Sequence, residues 1–444
     1  MRLPHPLTLL VGCTIIAAAL THVLPAGKFD MREDPASGRK VAVAGSYHRV
    51  PAQPVTPFQT VVAIPDGIID AASVIAFVFL VGGAFGVVDK TGALRDGIDW
   101  LVPRLGDRGI IAIPIVCLAF AAGGAFENMQ EEIIAIVPAL LVLTRRLGYD
   151  ALTVAEMSVG SAAVGSAFSP INPFQVLIGQ KVAGIPQFSA AQFRIVFLAI
   201  ALALWIAGTM RHARRVHVAT APVGAGDARP FGWRGQAVLG LVLGTFAVFV
   251  WGVAKLHWDF DQEAALFFVM GVIAGIVGGL GIAGTAEAFV DGFQSMAYAA
   301  LLIGFARSIS TVMEQGLIID TVVNGLASAL AGLPTAFAAL GMMGAQAAIH
   351  VPVPSVSGQA VLTLPVFAPV ADLLHMSRQV AVLAYQYGAG MCELMTPTNG
   401  ALMAILAAAG VRYDEWIRGA GLMLALVTAL GAVGVVVAVV VGVT

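Results

Sequence analysis

Charge is what this sequence has least of. Lys, Arg, Asp and Glu make up 11% of its 444 residues, less than half of the roughly 25% usual in a soluble domain. That is too little polar surface to keep a chain of this length in water, so a soluble enzyme is excluded. The near balance of 24 basic against 26 acidic residues gives no polyanion-binding face, so nucleic acid is not an expected partner. Cysteine is also scarce. Cys13, Cys117 and Cys392 lie in separate apolar stretches with no CxxC pair, so neither a disulfide framework nor a Cys metal site is expected. No HExxH zinc motif and no Walker A sequence occur. Gly148-Tyr-Asp150 has no accompanying GxGD, and Ser355 and Ser357 lack a GxSG context, so no intramembrane protease is legible.

Apolar residues fill the space that charge leaves. They make up 59% of the chain, with a mean hydropathy of +0.89. Runs of about 20 apolar residues can cross a bilayer as helices, which satisfy their own backbone where water is absent. Such runs fall at 7–25, 70–88, 190–210, 235–254, 264–281, 294–312 and 420–442. The expected fold class is an all-α polytopic membrane protein. Residues 7–24 resemble a signal-peptide core, but Pro25-Ala-Gly-Lys28 is a poor cleavage site, so they are read as a retained first helix.

The remaining regions are less regular. Residues 109–146 form two short apolar stretches around Glu127-Asn-Met-Gln-Glu-Glu132, and 333–375 form two more around Val351-Pro-Val-Pro-Ser-Val-Ser-Gly358. Each reads as a re-entrant helical hairpin with a polar tip. Residues 150–184 and 377–410 are long apolar runs broken at Ser169-Pro-Ile-Asn-Pro173 and at Thr396-Pro-Thr-Asn-Gly400. Ser169 and Thr396, Asn172 and Asn399, and Pro138 and Pro365 all stand 227 residues apart, the mark of an internal repeat. The repeats are expected over 1–210 and 264–444, joined through a cytoplasmic loop and a linking helix over 211–263. An odd number of crossings between equivalent points inverts the second repeat relative to the first. Inverted repeats with discontinuous helices are a common plan of secondary transporters.

Basic residues orient the chain weakly. With the N-terminus in the cytoplasm, the clusters at 90–108, 145–146, 211–234 and 412–418 lie inside. Lys28, Arg32, Arg39, Lys40, Arg49, Lys181, Arg194, Lys255 and Arg378 lie outside, a modest positive-inside excess. Arg307 is expected within the span 294–312.

The breaks carry the chemistry. Pro170 removes a donor and disfavours helix at Ser169, while Asn172 and Asn399 are suited to cap the half-helices that follow. Helix N-termini favour an anion, and freed carbonyls with hydroxyls favour a small hard cation. The expected substrate-binding residues are Asn172, Asn399, Thr398 and Arg307, with Asn128, Ser355 and Ser357 from the hairpin tips. Ser169, Thr396, Glu127 and Glu131 are the ion-coupling candidates, and a Na+ site is expected from Ser169, Ile171, Thr396 and Thr398. Glu127, Glu131 and Glu132 could carry a proton or bind a cation if the tip reaches mid-membrane. The blander readings are Pro kinks, a solvated hairpin tip and a snorkelling or structurally paired Arg307. His350 is expected to be a hydrogen-bonded structural residue.

These stretches resemble the YfcC family, in the C4-dicarboxylate carrier-like (DcuC-type) group of the ion transporter superfamily. The resemblance rests on Leu24-Pro-Ala-Gly-Lys-Phe-Asp30, Gly45-Ser-Tyr-His-Arg49, Gly82-Gly-Ala-Phe-Gly86, Lys90-Thr-Gly-Ala-Leu94, Ala125-Phe-Glu-Asn-Met-Gln-Glu-Glu132, Ser169-Pro-Ile-Asn-Pro-Phe174, Gly304-Phe-Ala-Arg307 and Thr396-Pro-Thr-Asn-Gly400. It implies a bacterial inner-membrane carrier with two re-entrant hairpins, working as a homodimer. It also implies Ser-Asn-Thr-like motifs binding Na+ and a substrate carboxylate. Thr396-Pro-Thr-Asn399 and Ser355-Val-Ser357 follow that pattern, whereas Glu127-Asn128 departs from it. Members of the group are described for dicarboxylates, basic amino acids and arginine/ornithine exchange.

The expected function is secondary transport of a small anionic or zwitterionic solute. An amino acid, basic ones included, stands slightly ahead of a dicarboxylate, with Na+ or H+ coupling or exchange and elevator-type access. No cofactor is expected beyond the coupling ion. The alternatives are an ion or solute channel and, without a catalytic motif behind it, an intramembrane enzyme.

Overall fold

Lipid offers no hydrogen bonds, so a chain this apolar satisfies its backbone internally and becomes helical. The computed structural model describes residues 5–34, 39–43, 45–94, 96–97, 110–127, 129–218, 232–256, 258 and 260–443. Helix α1 (Pro6–Val23) comes first. The charged segment after it folds into two small antiparallel pairs, β1 (Gly27–Lys28) with β4 (His48–Arg49) and β2 (Met31–Asp34) with β3 (Arg39–Ala42). Helices α2 (Pro57–Asp70) and α3 (Ala72–Lys90) follow, α2 opening on a Thr56–Gln59 capping box.

The first hairpin is α4 (Ala112–Glu127) and α5 (Glu131–Arg146). Helix α6 runs over Ala151–Ala155, a π-helical turn Glu156–Gly160, and Ser161–Ala167. After the break comes α7, a π-helical Pro173–Leu177 continued by Ile178–Val182, then α8 (Ala191–Val216) and α9 (Trp233–Leu256). The second half contains α10 (Phe260–Val277), α11 (Gly281–Gln315) and α12 (Ile319–Leu330). Its hairpin is α13 (Thr335–His350) and α14 (Val356–Leu373), and its broken helix is α15 (Arg378–Cys392) and α16 (Gly400–Ala409), before α17 (Tyr413–Val441). Among the described residues, six helices are long and apolar enough to cross a membrane: α3, α8, α10, α11, α14 and α17. Large apolar side chains such as Ile16, Leu118, Trp251 and Leu422 face outward, as a lipid-facing surface requires.

The seven expected spans are all helical, with one correction of length. The run 294–312 belongs to α11, whose 35 residues extend about 52 Å, well beyond the ~30 Å hydrocarbon core. Arg307 lies within this helix, eight residues before its end, about 12 Å along the axis. Helices α2 and α12 were not expected. Pro65 interrupts α2, and α12 is only 12 residues long.

The 227-residue spacing reappears in local structure. Asp150 and Ser377 each N-cap the first part of a broken helix, and Asn172 and Asn399 each sit at the start of the second part. Pro138 and Pro365 lie inside α5 and α14. Packing is reciprocal as well. Helix α4 lies on α6 as α13 lies on α15, and α5 packs on α16 while α14 packs on α7. Glycine sets the approach distance. A Cβ at Gly124 would collide with the Ala162 carbonyl, one at Gly165 with Ala121, and one at Gly388 with Met343. Beside these elements α3 packs between α10 and α11, and α11 carries α1 and α2.

Candidate functional site

The first break is closed on itself. Helix α6 stops at Ala167 because Pro170 prevents the next turn. The Ser169 hydroxyl donates to the Ala125 carbonyl (2.7 Å) and accepts from the amides of Ile171 (3.0 Å) and Asn172 (2.9 Å). Asn172 Oδ1 accepts from the amides of Phe174 and Gln175, both at 2.9 Å. Its Nδ2 donates to the Gly124 carbonyl at 2.8 Å and to Ser166 Oγ at 3.3 Å. Gln175 Nε2 also donates to Ser166 Oγ, at 2.7 Å. All four side chains are fully buried, so the bonds replace water that the site lacks.

A buried cation braces this break from behind. Gln386 Nε2 donates to the Ser169 carbonyl at 2.7 Å, and Arg194 Nε donates to Gln386 Oε1 at 2.8 Å. The remaining arms of Arg194 reach Gln379 Oε1 and the Ser189 carbonyl, each at 2.9 Å. The charge patterning had put Arg194 in an outside loop. It instead lies in α8, fully buried, its rigid fork matched to three neutral oxygens.

The second break joins different partners. Asn399 Oδ1 accepts from the Leu402 amide at 3.1 Å, which leaves the first two amides of α16, Gly400 and Ala401, outside the cap. Asn399 Nδ2 donates at 3.2 Å both to the Glu393 carbonyl and to Gln130 Oε1. Gln130 comes from the first hairpin tip, and its Nε2 donates to Glu393 Oε2 at 2.5 Å. Glu393 is 5% exposed. From the other side, Thr398 Oγ1 donates to the Val351 carbonyl at the second tip (2.6 Å), and the Thr396 and Thr398 hydroxyls lie 2.7 Å apart. Both hairpin tips therefore converge on this break. Two of the carbonyls freed by the break are already bonded: Trp416 Nε1 donates to Leu394 and Tyr413 OH to Met395.

The expected residues divide between these two networks. Asn172 and Ser169 build the first, and Asn399, Thr398 and Thr396 the second. The expected Na+ set of Ser169, Ile171, Thr396 and Thr398 is thus split. Among the described residues no hydrogen bond links the two pairs, and each hydroxyl is already engaged. Ser355 caps α14 by accepting from the Gly358 amide at 3.3 Å, and Ser357 is half-buried on the same turn. Arg307 is not gathered into either network. Its Nε lies 3.9 Å from Asp70 Oδ2 across the α2–α11 contact, both side chains half-exposed, although Ile303, one turn earlier, touches Gly400. Asn128 and the side chains of Glu127 and Glu131 lie outside the described residues, while Glu132 is half-buried at the start of α5. His350 Nδ1 bonds Gln359 Oε1 at 2.9 Å within a buried Gln346–Gln359–Thr363 cluster.

Gln130, Glu393, Gln386, Gln379 and Arg194 were missed as site residues. One signal was available. The position equivalent to Glu393 in the first half, 227 residues back, is Ser166, so a carboxylate replaces a hydroxyl beside one break only.

Known proteins match along the whole chain. The family model for the C4-dicarboxylate anaerobic carrier, DcuC, matches residues 3–440. A protein of Escherichia coli K12 named "Putative basic amino acid antiporter YfcC" is 32% identical over 98% of this chain and 96% of its own. An uncharacterised protein of Haemophilus influenzae is 29% identical over 90% of this chain and 82% of its own. Two solved transporters align at 16% identity across 99% of this chain. They are YdaH of Alcanivorax borkumensis (TM-score 0.43, 99% of that chain) and MtrF of Neisseria gonorrhoeae (TM-score 0.42, 96% of that chain). The chain belongs to the DcuC family and, within it, resembles YfcC; it is a polytopic membrane transporter and not an enzyme.

Proposed function

We propose that this transporter is a secondary carrier of amino acids with a basic side chain, and that the second break is its binding centre. The observation behind the reading is that both hairpin tips converge on the break beside a buried carboxylate, Glu393. Gln130 of the first tip donates to that carboxylate, Asn399 donates to Gln130 and to the Glu393 main-chain carbonyl, and Thr398 donates to Val351 of the second tip. A ligand guanidinium or ammonium replacing Gln130 Nε2 would neutralise Glu393. The uncapped amides of Gly400 and Ala401 would take the ligand carboxylate at the positive end of α16. A dicarboxylate would bring like charge to Glu393, which disfavours it. The family match supports a carrier, and the printed description of the E. coli relative supports exchange of basic amino acids.

Reciprocal packing of the two halves supports an inverted repeat over 1–210 and 264–444, joined through 211–263. The hairpins and broken helices would move as one bundle against α3, α10 and α11. A bacterial inner membrane, a cytoplasmic N-terminus and a homodimer complete the proposal, with Na+ or H+ as coupling ion or none in pure exchange.

The test is counterflow in proteoliposomes with labelled arginine, ornithine and succinate, with and without Na+. Saturable arginine or ornithine counterflow, lost in Asn399→Ala and Glu393→Gln with folded yield kept, is expected. Succinate counterflow unaffected by Glu393→Gln would sink the substrate class, and non-saturable flux would indicate a channel.

A further inference from the structure

Among the described residues, one carboxyl away from both breaks is buried with both of its oxygens unbonded. Glu156 opens the π-helical turn inside α6 and is fully buried. Neither of its carboxyl oxygens has a hydrogen-bond partner among the described residues. The equivalent position in the second half is Leu383, equally buried. The same packing environment thus takes an apolar side chain in one half and a carboxyl in the other.

π-helical turns occur disproportionately at functional sites. Here the Glu156 backbone carbonyl accepts from Trp205 Nε1 at 2.8 Å and from Ser161 Oγ at 3.3 Å. These two donors are therefore engaged by the main chain and not by the carboxyl. An ionised carboxyl left without a donor is among the costliest groups to bury, whereas the neutral acid forfeits only a hydrogen bond.

Its titratable and charged surroundings are few. Helix α4 contributes Cys117, and α8 contributes His212, itself near Arg215. Asp150, at the N-cap of α6, completes the set. Asp150 precedes Glu156 by six residues, about 9 Å along a helix. His212 Nε2 lies 3.2 Å from Asp150 Oδ2, and both side chains are partly exposed. A partly exposed acid–imidazole pair at the helix end thus lies within electrostatic reach of the buried acid.

We propose that Glu156 is a reversible proton-binding site of this transporter, loaded and unloaded through the His212–Asp150 pair. On release the O–H bond of Glu156 breaks and the proton passes to the neutral imidazole of His212, then to water beside Asp150. Loading is the reverse, and no other species is consumed. The site depends on the chain being a transporter and not on which solute it carries.

Infrared difference spectra of the full chain in lipid read the proton directly, without substrate. At neutral pH the wild type minus Glu156→Gln difference should contain the C=O band of a protonated carboxylic acid that shifts in D2O. Glu156→Leu, the side chain found at the equivalent position, gives the same subtraction if the Gln variant folds poorly. A difference containing only carboxylate bands would mean that Glu156 is ionised and would overturn the proposal. After a jump to alkaline pH, His212→Gln and Asp150→Asn should slow loss of the acid band by about tenfold or more, as expected for removal of a proton relay, at unchanged starting amplitude. Unchanged rates in both would remove the pathway. These readouts stand even if no arginine counterflow is found.

Discussion

The two breaks share a register and differ in what closes them. At the first, Asn172 takes both following amides, Gln175 returns to Ser166, and Arg194 braces Gln386 from behind. Every partner lies in its own half or in the α15 and α8 neighbours. At the second, Ser166 is replaced by Glu393 and Gln175 by Leu402, so the local circle cannot close. Its polar groups reach across to Gln130 of the first hairpin and to Val351 of the second. A network whose members satisfy each other is rigid, whereas one completed by distant partners can exchange them for a ligand. On the proposed mechanism the first break would hold its shape, and the second would be the place where partners change.

The largest effect should come from Arg194. Arg194→Leu leaves Gln386 Oε1 and Gln379 Oε1 without this donor and the Ser189 carbonyl with Gln180 alone, at about 3–5 kcal/mol for several lost charge-assisted bonds, read as collapse of folded yield and thermal stability in detergent. A near wild-type melting curve would mean that the brace is decorative. Next, Asn172→Ala removes four buried bonds and should cost about 2–4 kcal/mol, against about 1–2 kcal/mol for Asn399→Ala. Equal losses in thermal unfolding would erase the distinction between the breaks. Thr398→Val removes the tether to Val351, about 1 kcal/mol, and should speed amide exchange at 351–355 while leaving the first hairpin unchanged. The smallest change in stability is expected from Glu393→Gln, within about 1 kcal/mol of wild type because hydrogen-bonding capacity is kept. Its transport of basic amino acids should nonetheless fail. A large loss of stability there would make Glu393 structural.

Local chemistry was legible along the chain. Proline stops a helix wherever it removes a donor, and Asn caps the next one, so both breaks and their equivalence follow from five-residue strings. The spans followed from apolar length, except that α11 begins well before its expected start, while the pairing of Arg307 with Asp70 could not be read from the chain. What could not be read were the long-range pairs. Gln130 and Glu393 are 263 positions apart, and nothing local to either indicates the other. Arg194 looked like a loop charge because it sits four residues into α8. Only the fold supplies three neutral acceptors there. The first-tip carboxylates drew attention by their density, while Glu156, alone in an apolar run opposite Leu383, was passed over.

By itself the sequence determined that this chain lives in a membrane, that it is helical, and that it repeats a hairpin and a broken helix. Each of these is fixed by apolar length, backbone satisfaction and proline, which act within a few residues. The tertiary structure decided which polar groups meet: Gln130 with Glu393, Arg194 with Gln386, and the Glu156 carboxyl with none among the described residues. In a medium without water, a buried polar group is defined by its partner, and partners are chosen by packing between helices far apart in the chain.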